Sequence, residues 1–136
     1  MAKNNLCRVF NDEFDNLLKK GVAEEKYLNQ NKIRYLETAK LIENVLKRFE
    51  TNPKALDIGS SGFTFLVKNL LKLDVATADF TNKFEDKCKK KICFRRCDLT
   101  KNKIPFPGNS FEVVLLLEVI EHLKMDHRLL LSARYK

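Results

Sequence analysis

The chain has 136 residues, enough for one domain with its own core and too few for two of ordinary size. Its net charge of +8, from 26 basic against 18 acidic residues, favours nucleic acid, anionic membrane surfaces or acidic substrates as a class without identifying one. No apolar run reaches the roughly 18 residues that span a bilayer, and the N-terminal "MAKNNLCRVFNDEFDNLL" lacks the apolar stretch of a secretion signal. Cys7, Cys88, Cys93 and Cys97 show neither CxxC spacing nor the density of a disulfide scaffold, so the expectation is a soluble, cytoplasmic protein with reduced thiols.

In chain order, a short helix is predicted over residues 12–20, with Phe14, Leu17 and Leu18 inward and Gly21 as its stop. A longer amphipathic helix is predicted over residues 30–50, where Tyr35, Ala39, Ile42, Val45, Leu46 and Phe49 recur at spacings of three and four, with Asn52-Pro53 ending it. Beyond Pro53 the rhythm changes to short apolar runs, "ALDIG", "LDVATADF", "KICFRRCDL" and "FEVVLLLEVI", separated by segments long enough for helices or crossovers. The last run is apolar at every position from 113 to 117, which suits a parallel strand buried on both faces. The predicted architecture is α/β: a Rossmann-like open parallel sheet with flanking helices over residues 53–136, preceded by a helical segment over residues 1–52.

An acid or a glycine closes each run: Asp57-Ile58-Gly59, Asp79, Asp98 and Glu118. In a parallel sheet these four ends share one rim, where like charges repel and lose solvation, so packing alone does not favour them. Any one of them is explained equally well as the cap of a following turn or helix. Their recurrence at every strand end is the feature that points to hydroxyls, amines or a cation as a ligand.

The segments "ALDIGSSGF", "VATADF", "CDLT" and above all "IPFPGNSFEVVLLLEVIEHL" resemble the successive motifs of class I S-adenosylmethionine-dependent methyltransferases, most nearly the type 11 group, over residues 54 to about 125. The resemblance implies S-adenosyl-L-methionine as cofactor. It also implies a role for each rim residue. The loop Gly59-Ser60-Ser61-Gly62 would approach the methionyl and ribose portions, with Asp57 orienting the methionyl end. Asp79 would accept both ribose hydroxyls, Phe80 would pack on the adenine face, Asp98 and the backbone of Leu99 would address the adenine edge, and Glu118 would sit near the sulfonium. The competing ligand is a nicotinamide dinucleotide, since Asp79 also lies at dinucleotide spacing from Gly59. The loop argues against it, because Ser61 and Thr64 stand where a GxGxxG pattern needs glycines.

Two departures from the family pattern set further expectations. Ser61 occupies the place of the second loop glycine, which implies a tighter loop or a serine strained toward positive φ. The sequence ends at "LLLSARYK", whereas the family continues through three more strands. The expectation is therefore a sheet without its C-terminal strands, with residues 113–117 at an apolar edge that invites a partner chain.

The expected activity is methyl transfer to a small-molecule acceptor. The alternatives are a truncated, non-catalytic relative that binds cofactor or a partner chain, and an RNA methyltransferase. His122 is the candidate general base, although a histidine packing from a helix surface explains it as well. Glu118, Glu121 and His122 also spell ExxEH, similar to a metal-binding segment of small-RNA methyltransferases, but the ligand set is incomplete and no metal is expected. The basic run "KFEDKCKKKICFRR", residues 83–96, holds seven basic and two acidic residues. It reads either as a solvated face that protects a sheet edge or as a surface for RNA.

Overall fold

Among the described residues, four parallel strands carry the second half of the chain. The computed structural model describes residues 3–88 and 91–117. The elements are α1 (Lys3–Lys20), α2 (Glu25–Leu46), β1 (Lys54–Ile58), α3 (Gly62–Leu71), β2 (Asp74–Asp79), α4 (Glu85–Cys88), β3 (Cys93–Arg96) and β4 (Val113–Leu115). The sheet order is β3-β2-β1-β4, all neighbours parallel. Strand and helix alternate along the chain from β1 to β3, so this is the Rossmann-like α/β fold expected from the sequence.

The chain divides into two compact units. The first comprises the residues up to Pro53 together with Ser61–Leu73, and is wholly helical. On α1, Leu6, Phe10, Phe14 and Leu17 fall at helical spacing and are all buried; the Phe10 and Phe14 rings stack with centroids 5.9 Å apart. On α2 the buried set is Leu28, Tyr35, Ala39 and Ile42. Phe63 of α3 meets the Tyr35 ring at 5.0 Å, and a Cβ added at Gly62 would lie 2.6 Å from Leu28 Cδ2. Gly62 therefore lets the first turn of α3 lie close to the Leu28 side chain.

Both N-terminal helices differ from their predicted extents. The first begins at Lys3 rather than residue 12, because Leu6 and Phe10 continue the Phe14–Leu17 stripe by one turn and then another. Gly21 does end it, at φ 62° with its amide on the Leu18 carbonyl. The second spans Glu25–Leu46 rather than residues 30–50, so it stops well before Pro53. Val45, predicted inward, is 39% exposed, and Leu46 and Phe49 are only half-buried.

The second unit comprises Lys54–Ser60 and the residues from Asp74 on. In the sheet Leu56 pairs with Ala76 on one side and Val114 on the other. Leu56, Ile58 and Ala76 form a buried patch against which Leu99, Ile104, Phe106, Phe111, Val114 and Leu116 pack. Phe106 and Phe111 meet edge to face at 5.1 Å. The long connection from β3 to β4 thus covers the sheet without regular structure of its own. At the N-terminal end of the strands, Glu112 grips Lys54 twice: its Oε2 accepts the Lys54 amide at 2.7 Å and its own amide reaches the Lys54 carbonyl at 3.0 Å.

β3 is an edge strand of the described sheet, and its Cys93, Arg95 and Arg96 are exposed. Charged side chains there discourage pairing with another sheet. β4 is less buried than its sequence promised, with Val113 and Val114 half-buried and Leu115 buried. All four cysteines are free thiols. Among the described residues no helix is long and apolar enough to cross a membrane.

Candidate functional site

The C-terminal ends of β1, β2 and β3 bring together most of the residues that the sequence singled out. Asp57 sits within β1, one residue before its end, with only 2% of its surface exposed. Ile58 is followed by Gly59, whose φ of 89° is open to glycine and unfavourable for any side chain. Its amide donates to the Ala78 carbonyl at 2.8 Å, which carries the β1–β2 ladder one step past the strand and turns the chain over the end of β2.

Ser60, the next residue, makes two bonds to β2. Its amide donates to Asp79 Oδ2 at 3.1 Å, and its hydroxyl lies 2.8 Å from Thr77 Oγ1. Thr77 is fully buried and its hydroxyl donates to the Asp57 carbonyl at 2.8 Å. A hydroxyl has one proton, so the Ser60 hydroxyl is the donor in the Ser60–Thr77 pair. The proton chain therefore runs Ser60 to Thr77 to the β1 backbone.

Asp79 closes β2 and is half-buried. Burial raises its pKa above the usual carboxylate value, while the amides of Thr81, Ser60 and Phe80 and the charge of Lys83 pull in the opposite direction. Oδ2 accepts the Ser60 amide, and Oδ1 accepts a long bond, 3.4 Å, from the Thr81 amide. Such a carboxylate has lone pairs available for neutral hydroxyl donors. Phe80 follows with 61% of its surface exposed, a large apolar face presented to solvent.

Beside Phe80 lies a cavity of about 390 Å³ lined by Phe80, Arg96, Cys97, Asp98, Lys101 and Asn102. Arg96 Nε donates to the Phe80 carbonyl at 3.3 Å, and the Cys97 amide donates to the Asp79 carbonyl at 2.7 Å, so the walls of the cavity are tied to the end of β2. Asp98 lies two residues past β3 and faces its own following turn. Oδ1 accepts from the Thr100 amide at 3.0 Å and the Thr100 hydroxyl at 2.6 Å, and Lys101 Nζ stands 3.9 Å from Oδ2. Asp98 is thus in part the turn-capping residue that its local explanation required. Leu99 is half-buried against the Leu56 patch.

Ser61 and Gly62 belong to the helical unit. Of the two expectations for Ser61, a tighter loop or a φ strained toward positive values, the second is not met: at φ −154° the residue is extended, and it caps α3. Its hydroxyl accepts the Phe63 amide at 3.2 Å, and Thr64 Oγ1 accepts the Ser61 amide at 3.0 Å, a reciprocal capping box. A serine in place of the glycine thus supplies a cap that glycine lacks.

Glu118 and His122 lie outside the described residues, as does Glu121. The sequence reading missed Thr77, Thr64 and the cavity residues Arg96, Lys101 and Asn102. A lone hydroxyl inside the apolar stretch Val75 to Ala78 was the available signal for the first, and the Ser61-x-x-Thr64 spacing for the second.

The geometry is therefore a glycine turn after β1, a carboxylate at the end of β2 and a cavity with an aromatic wall beyond β3. A family model described as a methyltransferase domain, of the type 11 group, matches residues 56–134, more than half of the chain. Neither the curated proteins nor the solved structures contain a match to it. Members of the family generally use S-adenosylmethionine as methyl donor. The chain belongs to the type 11 methyltransferase domain family, within the class I S-adenosylmethionine-dependent methyltransferases.

Proposed function

We propose that the rim of the sheet binds S-adenosyl-L-methionine and that the protein transfers its methyl group to a small-molecule acceptor. The observation that carries the reading is the end of β2, where Asp79 is half-buried, braced on Oδ2 by the Ser60 amide, and followed directly by the exposed ring of Phe80 at a cavity. A vicinal diol needs an ionised carboxylate with lone pairs to spare, and a purine needs an apolar face beside it. Both lie on consecutive residues.

In this reading Asp79 accepts the ribose hydroxyls and Phe80 covers one face of the adenine. The cavity residues Asp98 and Asn102 offer polar partners to the adenine edge, with Asp98 sharing an oxygen that Thr100 already holds. Gly59, free of a side chain at φ 89°, leaves the loop backbone open to close approach. The bound donor supplies an electrophilic methyl on a sulfonium, transferred in line as the acceptor lone pair forms its bond and the carbon–sulfur pair returns to sulfur. The chain's share of such a reaction is alignment and exclusion of water.

Isothermal titration with S-adenosyl-L-methionine and with its demethylated product tests the proposal. Binding of both by the wild type, lost in Asp79→Ala, is the expected result. Absence of binding, or binding that survives Asp79→Ala undiminished, overturns it. A salt titration with single-stranded RNA separates the alternative acceptor class: Arg95, Arg96 and Lys91 on and beside the β3 edge would give an affinity that falls steeply with salt if RNA were the acceptor.

A further inference from the structure

Thr77 is a hydroxyl at the centre of β2, between Ala76 and Ala78, with none of its surface exposed. Valine has nearly its shape and a strand preference as strong, so packing does not call for the oxygen. A buried hydroxyl costs stability unless both its proton and its lone pairs are used. Both are used here. The proton goes to the Asp57 carbonyl, and the lone pair receives the Ser60 hydroxyl.

That second bond has an effect beyond Thr77. Ser60 is held by its hydroxyl on one side and by its amide, on Asp79 Oδ2, on the other. Release of the hydroxyl leaves the amide free to swing with the glycine turn, and Asp79 then loses the donor that fixes which oxygen faces outward. The geometry points to Thr77 as a positioning residue for the donor site: through Ser60 it orients the Asp79 carboxylate toward the ribose hydroxyls without touching them. This inference rests on the reading of Asp79 as the ribose acceptor.

Among the described residues, the charge of Lys83, in the segment after β2, bears on Asp79, and Arg96 is its register partner on β3. Neither is changed by substitutions at Thr77 or Ser60. The Ser60 amide favours the ionised form of Asp79, so its loss raises the pH at which the carboxylate is protonated.

The test compares Thr77→Val, Thr77→Ser, Ser60→Ala and the Val/Ala double variant. Three readouts apply: titration with the demethylated cofactor product between about pH 4 and pH 8, amide exchange at Ser60 by nuclear magnetic resonance, and thermal unfolding. Thr77→Val is expected to weaken binding about tenfold, a typical value for one lost hydrogen bond in a network. Its binding is also expected to fail at a higher pH than the wild type's on acidification, with faster exchange at Ser60. Thr77→Ser restores all three. Ser60→Ala leaves the Thr77–Asp57 bond intact and weakens binding in the same direction, and the double variant is no worse than Thr77→Val alone, because both changes break one chain of bonds.

Wild-type affinity, pH profile and Ser60 exchange in Thr77→Val overturn the inference while leaving the proposed function standing. So does a loss that tracks melting temperature and is not restored by serine. A wild type that binds neither cofactor nor product overturns the two together.

Discussion

At the end of β2, Asp79 receives the amide of Ser60, which arrives from β1 after a separation of 19 residues; beyond β3, Asp98 receives the amide and hydroxyl of Thr100, two residues later. The first arrangement exists only once the strands have paired. The second is a local turn that a short peptide can form. Two aspartates that look equivalent along the chain therefore differ in what aims them. Asp79 is oriented by the tertiary fold, and Asp98 mainly by its own neighbours.

The largest effect expected from this contrast is on cofactor affinity. Asp79→Ala is expected to weaken S-adenosyl-L-methionine about a hundredfold in a calorimetric titration, close to 2.7 kcal/mol, as loss of a charged acceptor of two hydroxyls should. An equal loss in Asp98→Ala would break the distinction.

Gly59→Ala comes next and tests the turn that carries Ser60 to Asp79. At φ 89° a side chain is strained, and urea unfolding is expected to show a loss of about 1–3 kcal/mol. Ser61→Ala probes the adjoining residue, which caps α3. It is expected to lower stability by about 1 kcal/mol, the usual value of an N-cap, with the rest of the loop unaffected.

A smaller effect sharpens the role of Asp79 by separating stability from binding. Burial raises its pKa above 3.8, so the folded state holds this proton more tightly than the unfolded one does. Ionised Asp79 thus subtracts from stability above its folded pKa, and that cost fades as pH falls toward 3.8. Asp79→Asn keeps an acceptor for the Ser60 amide and removes the charge. It should melt at or above the wild-type temperature at neutral pH, with the difference vanishing in acid, and should still bind cofactor poorly. A melting temperature clearly below the wild type's at neutral pH would show that the charge is stabilising instead. The smallest effect belongs to Asp98→Ala, expected to change affinity by about threefold or less because Thr100 already occupies one of its oxygens.

The same contrast explains what the sequence made legible. The β1 and β2 runs stand out as short apolar stretches closed by a glycine or an acid, and the β4 run by its unbroken apolar residues. Asp79 and Phe80 were legible as a pair at a strand end. Thr77 was not, since its importance depends on lying opposite Asp57 in the paired register, a relation between residues 20 apart. For Ser61, one of two expectations, the strained φ, is not met. Set against a glycine pattern it looked strained, while its own spacing to Thr64 described an unstrained cap. The helix boundaries differ where the stripe thins: Leu28 is separated from Tyr35 by two full turns.

The Glu112 grip on Lys54 bears on how the molecule assembles. It joins residues 58 apart in the chain, far beyond the separation of about 20 that links β1 to β2. Closing so long a segment costs more chain entropy, and contacts of this kind slow folding. The pairing of β1, β2 and β3 needs only residues that a growing polypeptide delivers earlier. β4 is therefore expected to dock last, and the nascent chain spends an interval with one side of β1 still open and its Lys54 amide awaiting a partner.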